Sequence, residues 1–171
     1  MYTQDITRQH RAAIVIAIDQ SCSMGGRMML NGWDLSKAEV VSMVTGRLID
    51  ELIMRSYRDG EYRHYYDIAL VGYSGEEVYS LLGDEVNFHP ITILAGRDIR
   101  RISYTLNYNT MLRGVQSFEE QVSLWVEPRS QGSTPMYKMI GMVTELVNEW
   151  CNKSENRDSF PPIVINITDG E

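Results

Sequence analysis

The sequence lacks most of the features that place a protein quickly. It has only two cysteines, Cys22 and Cys151, in 171 residues, too few for a disulfide framework. Its three histidines, His10, His64 and His89, are scattered, with no metal-ligand spacing among them. No apolar run approaches the ~20 residues of a membrane-spanning helix. The first eleven residues, MYTQDITRQHR, hold no apolar signal-peptide core. No low-complexity tract or internal repeat stands out. Acidic residues outnumber basic ones, 23 to 16, for a formal net charge of −7, whereas nonspecific nucleic-acid binding depends on a basic face. These absences point to a cytoplasmic protein that binds neither nucleic acid nor membrane. The length suits a single domain, 1–171, with room for a core.

What is present is organised around residues 12–24, AAIVIAIDQSCSM. Residues 12–18 form an unbroken apolar run rich in β-branched side chains, the mark of a parallel strand buried on both faces. Polarity then begins abruptly at Asp19 and continues at alternate positions with Ser21 and Ser23. Three oxygen-bearing side chains thus emerge at the carboxyl end of a buried strand, where open α/β sheets bind ligands.

The following GGRMMLNGW reads as a glycine-broken loop. Ser36 and Glu39 then make a capping box, and apolar residues at Val40, Val44, Leu48 and Leu52 predict a long amphipathic helix ending before the Asp59-Gly60 turn. Residues 65–74 predict a second strand, and VYSLLG after a charged turn its hairpin partner. Between Gly83 and Gln131 the pattern suggests a short strand over 91–94, a helix over about 112–121 and an extended SLWVEP segment. Next comes a helix with Met136, Ile140, Val143, Val147 and Trp150 on one face. Thr134 is its N-cap candidate, with Pro135 in its first position. Pro161 and Pro162 introduce IVINIT, a further buried strand ending in Asp169. The alternation predicts an α/β fold.

Two buried strands therefore end in an aspartate. If they are adjacent and parallel, Asp19 and Asp169 come close, since strands lie ~4.8 Å apart. Thr134 begins the helix that feeds the second strand. Mg²⁺ takes about six oxygens and gives up water reluctantly. Hydroxyls of Ser21, Ser23 and Thr134 could bind it directly, with Asp19 and Asp169 acting through its waters. The direct ligands are then neutral, so the ion would favour a carboxylate from outside. Taken singly, an aspartate at a strand end is an ordinary turn former and Thr134 an ordinary helix cap. Only the combination points to a metal.

The segments D-Q-S-C-S-M (19–24), G-S-T-P-M (132–136) and I-T-D-G (167–170) resemble the three-part metal-ion-dependent adhesion site (MIDAS) of the von Willebrand factor A domain. The resemblance runs from about Ala12 to the last residue, and is strongest to bacterial intracellular members of the tellurite-resistance type. It implies a Rossmann-like, mostly parallel sheet flanked by helices, with one antiparallel edge strand. It also implies Mg²⁺ or Mn²⁺ at Asp19, Ser21, Ser23, Thr134 and Asp169. The implied function is protein–protein interaction through a partner's Glu or Asp, not catalysis. Cys22 stands where the family commonly has glycine, and with nothing basic flanking it the thiol reads as an inert small residue. The family continues with further strands and helices beyond the position of Glu171, so the sequence is expected to be a C-terminally truncated domain. The open edge of its last strand would favour self-association.

Two other readings have a basis in the residues. A phosphatase-like, metal-dependent enzyme could use Asp19 as nucleophile, but that chemistry needs a second acid two residues on, where Ser21 stands. A basic patch at Arg97, Arg100, Arg101 and Arg113 could contact nucleic acid, or be a solvated or salt-bridged surface. Trp33, Trp125 and Trp150 read as packing residues.

Overall fold

The computed structural model describes residues 5–30, 33–83, 85–110 and 114–170. The first strand, β1 (Ala12–Asp19), is buried at all eight positions, as its unbroken apolar run requires. A single 3-10 turn, Cys22–Gly25, follows. Next come β2 (Arg27–Leu30) and β3 (Trp33–Ser36), paired antiparallel. The stretch expected as a loop, GGRMMLNGW, thus contains β2 and the first residue of β3, its strand partner; positions 31 and 32 lie outside the described residues. Helix α1 (Lys37–Ser56) starts with the expected capping box between Ser36 and Glu39. A two-residue pair, β4 (Tyr57–Arg58) and β5 (Glu61–Tyr62), closes around Asp59 and Gly60. Both turn residues have positive φ, 53° and 88°, as a type I′ turn demands.

Strand β6 (Tyr66–Ser74) lies parallel to β1 and pairs antiparallel with β7 (Glu77–Ser80), the predicted hairpin partner. The predicted strand over 91–94 is instead a short helix, α2 (Ile91–Ala95), after a two-residue strand β8 (His89–Pro90) that also pairs antiparallel with β6. Pro90 stands at the N-cap, and Ile91 and Leu94, three apart, are the residues α2 buries. The predicted helix over 112–121 is likewise overturned. From Gly114 onward this stretch is β10 (Gly114–Ser123), paired antiparallel over ten residues with β9 (Arg101–Thr110); positions 112 and 113 lie outside the described residues. Residues 124–128 have no regular structure. Helix α3 (Met136–Asn152) and β11 (Phe160–Ile167) complete the order. The buried face of α3 is Met139, Val143, Leu146 and Trp150. Ile140, expected on that face, is 55% exposed.

The central sheet has the order β11-β1-β6-β7. Strands β11, β1 and β6 run parallel. The expectation that IVINIT is a buried strand is corrected: β11 is an edge strand, so Ile163 and Val164 are 39% and 49% exposed. Helices cover both faces of the sheet. On one face Ile14, Ile16, Ile18, Ile68 and Leu70 pack with Ile49 of α1, Ile91 and Leu94 of α2, and Trp125. On the other, Val15, Ala17, Ala69, Val71 and Tyr73 pack against Met139, Val143 and Leu146 of α3. The fold is a three-layer α/β sandwich with a mostly parallel sheet. Trp125 and Trp150 are buried in it, as expected of packing residues.

The β9–β10 hairpin is fastened to α1 through a glycine. A Cβ at Gly46 would lie 2.3 Å from the Ser123 carbonyl oxygen and 3.0 Å from Val122 Cγ1. Inside a helix, Gly→Ala ordinarily stabilises by ~1 kcal/mol. Here the sign should reverse, because overpacking against backbone costs about 1–3 kcal/mol. Urea denaturation of Gly46→Ala should show a lower midpoint than the native protein. A higher midpoint would mean that the hairpin does not lie against α1.

Candidate metal centre

The site follows from the order in which strands join the sheet. From β1 the chain passes to β6 on one side and later returns to β11 on the other. Such a reversal opens a crevice at the carboxyl ends of the strands, the usual ligand site of α/β sheets. The register pairs Ile18 with Ile167, so Asp19 and the residues after Ile167 leave the sheet side by side.

Asp19 is 1% exposed. Its Oδ1 accepts the backbone N–H of Ser21 at 2.9 Å, and its Oδ2 accepts the Thr168 hydroxyl at 2.9 Å. These bonds fix the carboxylate and bend the chain so that alternate hydroxyls turn inward. Ser21 Oγ and Ser23 Oγ lie 3.1 Å apart, and Ser23 Oγ donates to Asp169 Oδ1 at 3.0 Å. Four of the five predicted residues are therefore tied into one cluster. Lys37 joins it: its Nζ is 2.8 Å from Asp169 Oδ2.

Thr134 sits on a loop fastened over the strand ends, but its side chain makes no hydrogen bond to the other four predicted residues. Cys22 N–H donates to the Gly132 carbonyl, Gln131 N–H to the Gln20 carbonyl and Gly75 N–H to the Ser133 carbonyl. Gly132 permits this close approach. Its φ is +72°, and a Cβ there would sit 2.7 Å from Gly75 Cα. The N-cap position of α3 is Pro135, and no side chain caps the helix. The expectation that Thr134 is the N-cap is therefore corrected: its hydroxyl, half-buried in residue terms, makes no bond to the helix start.

Sequence reasoning missed the supporting residues. Tyr73 is fully buried, and its hydroxyl donates to Asn166 Oδ1 at 2.8 Å. Burial, and then the Asp19 carboxylate, push its pKa up, so it stays a neutral donor. Gln20 Oε1 accepts from Tyr79 Oη at 2.7 Å, while its Nε2 donates to the Glu127 carbonyl. These contacts pin both sides of the Asp19–Ser23 turn.

Among the described residues, no three His, Cys, Asp or Glu side chains converge to hold a metal. A cation here would have to take hydroxyl oxygens besides the two carboxylates. That donor set is hard and all-oxygen, which suits Mg²⁺ or Mn²⁺ better than thiolate- or imidazole-seeking metals. Two arginines of the patch have partners: Arg97 Nη1 donates to the Leu82 carbonyl, and Arg100 pairs with Glu127 at 3.4 Å, while Arg101 is exposed. Arg113 lies outside the described residues. No described helix is long and apolar enough to cross a membrane. Comparison with known protein families, with curated proteins and with solved structures finds no match to this chain.

Proposed function

We propose that the chain is a metal-dependent protein-interaction module of the von Willebrand factor A type, which captures a Glu or Asp of a partner through Mg²⁺ or Mn²⁺. The observation that carries this reading is the cluster of Ser21 and Ser23 hydroxyls against Asp169, beside a buried Asp19, at the reversal point of the sheet. Ser21, Ser23 and Thr134 would offer neutral oxygens to the ion, and the two aspartates would hold its waters. A bound divalent cation would supply a Lewis-acidic position for a carboxylate from outside. The protein's part is to fix the hydroxyls, bury the charges and leave one side open.

The alternative, phosphoryl transfer to Asp19, fits the geometry less well. A nucleophilic carboxylate needs an accessible oxygen, whereas both oxygens of Asp19 already accept hydrogen bonds and the residue is 1% exposed. No second acid stands at position 21.

Mn²⁺ relaxation of water protons tests the proposal. The native protein should bind Mn²⁺ and enhance relaxation, and acetate or a glutamate-containing peptide should then lower the enhancement by displacing bound water. Ser21→Ala should bind at least ~10-fold more weakly, about 1.4 kcal/mol. Failure of the native protein to bind Mn²⁺ would sink the metal reading. Binding that carboxylates do not perturb would sink the docking function.

A further inference from the structure

We propose that Lys37 is a built-in counter-cation of this site, and that a divalent ion binds in competition with its ammonium group. The inference rests on the metal reading given above. Lys37 is the first residue of α1, distant in sequence from both aspartates. Its Nζ nevertheless lies 2.8 Å from Asp169 Oδ2, with only 7% of the Asp169 side chain and 29% of the lysine side chain exposed. The contact is built from several directions. Lys37 N–H donates to the Gly26 carbonyl at 2.8 Å, which ties the start of α1 to the end of the turn that carries Ser21 and Ser23. The lysine arm then runs over Gly26. A Cβ at that glycine would stand 3.2 Å from Lys37 Cε, a tight contact, and 3.5 Å from Nζ, an ordinary one.

Asp169 thereby bridges two groups. One oxygen accepts from Ser23, a proposed metal-binding hydroxyl, and the other holds the ammonium. A shared carboxylate couples the two, because an ion approaching Ser23 meets a positive charge already neutralising Asp169. Asp19 and Asp169 together carry two negative charges, and Lys37 offsets one of them. The lysine stabilises the metal-free site and weakens the metal-bound one. Such a residue would keep the site closed at low ion concentration and set the threshold at which docking begins.

Titration calorimetry with Mn²⁺ on the native protein, Lys37→Met and Lys37→Arg tests this. Methionine keeps the length of the arm and removes the charge. Lys37→Met should bind Mn²⁺ at least ~10-fold more tightly than the native protein, although it should melt at a lower temperature in EDTA. Lys37→Arg, which keeps the charge, should not tighten binding. A merely structural lysine could not give this pattern, because lost structure loosens a metal site. In a parallel Mg²⁺ titration of the native protein, the ¹³C resonance of Lys37 Cε should shift as the site fills. Equal or weaker Mn²⁺ binding by Lys37→Met, with native binding intact, overturns this inference alone. Absence of binding in both proteins overturns the metal reading and the inference with it.

Discussion

Asp67→Ala should destabilise the protein by about 3–5 kcal/mol, the cost of removing one partner from a buried ionic network. At ~2–4 °C per kcal/mol for a chain of this size, the melting temperature falls by roughly 10 °C. Asp67 is the second residue of β6, at the end of the sheet opposite the candidate site, and is 5% exposed. Its Oδ1 accepts from His64 Nε2 at 2.5 Å and its Oδ2 from the buried indole Nε1–H of Trp150 at 3.0 Å. Arg11 Nε stands 3.7 Å from Oδ2. The same arginine donates to Asn156 Oδ1 at 2.7 Å, and Asn156 Nδ2 donates to the Trp150 carbonyl. One carboxylate therefore joins the entry to β1, the start of β6 and the last turns of α3. Alanine would leave the buried indole N–H of Trp150 without its acceptor and the Arg11 guanidinium without its nearest buried negative charge, in a place water reaches poorly. Asp67→Asn keeps the shape but offers one acceptor oxygen to two donors, so its loss should be smaller.

The same residue sets an acid limit. Burial alone would raise the Asp67 pKa, but the hydrogen bonds from His64 and Trp150, with the positive charge nearby, hold it below its ordinary value. A carboxylate with a depressed folded-state pKa adds stability above its unfolded pKa of ~3.9, and loses that contribution as pH falls through the folded value. Urea midpoints should therefore drop below about pH 4 more steeply in the native protein than in Asp67→Asn. Parallel curves for the two proteins would remove Asp67 from the account.

The parallel core was legible because burial on both faces leaves a continuous apolar run, which few other structures require. Hence residues 12–18 announced β1. IVINIT announced a strand as well, but β11 lies at the sheet edge and its apolar run is half exposed rather than buried on both faces. The aspartates after both runs marked the candidate site. The β9–β10 hairpin was misread for a physical reason. Val115, Phe118 and Glu119 are spaced like a helix, and Gln116, Glu119 and Glu120 are good helix formers. Yet ten consecutive antiparallel pairs, with Leu106 opposite Phe118 and Ile102 opposite Val122, override that propensity. The alternation of Ile102, Tyr104, Leu106 and Tyr108 was the signal to weigh. In α3 the apolar stripe is wider than the face that packs, so sequence alone could not choose Met139 and Leu146 over Ile140. Lys37 and Thr168 stayed hidden because nothing local marks them. Lys37 reaches Asp169 only because the β2–β3 pair returns the chain to the site, and β2 was read as loop.

Saturating Mn²⁺ should raise the melting temperature of the native protein by about 5–10 °C, and Asp19→Asn should abolish the rise. A ligand confined to the folded state contributes RT ln(1 + [L]/Kd), ~2.7 kcal/mol at a hundredfold excess over Kd, and each kcal/mol moves the midpoint of a chain this size by ~2–4 °C. Asparagine is the instructive replacement. Its carbonyl oxygen can still accept the Ser21 N–H, and its amide can turn to Thr168 Oγ1, so the turn that presents Ser21 and Ser23 should survive. What disappears is one negative charge beside a divalent ion. At ~5 Å and an effective dielectric constant near 20, that charge is worth about 7 kcal/mol before screening. A loss of at least ~100-fold in affinity is therefore a low expectation, enough to flatten the response at the concentration that shifts the native protein. The metal-free melting temperatures decide how the flat line is understood. If Asp19→Asn melts in EDTA within a few degrees of the native protein, the flat response belongs to the site and not to a damaged fold. If the variant follows the native rise, Asp19 takes no part in binding the ion, and the cluster it supports must be read as a polar brace between β1 and β11.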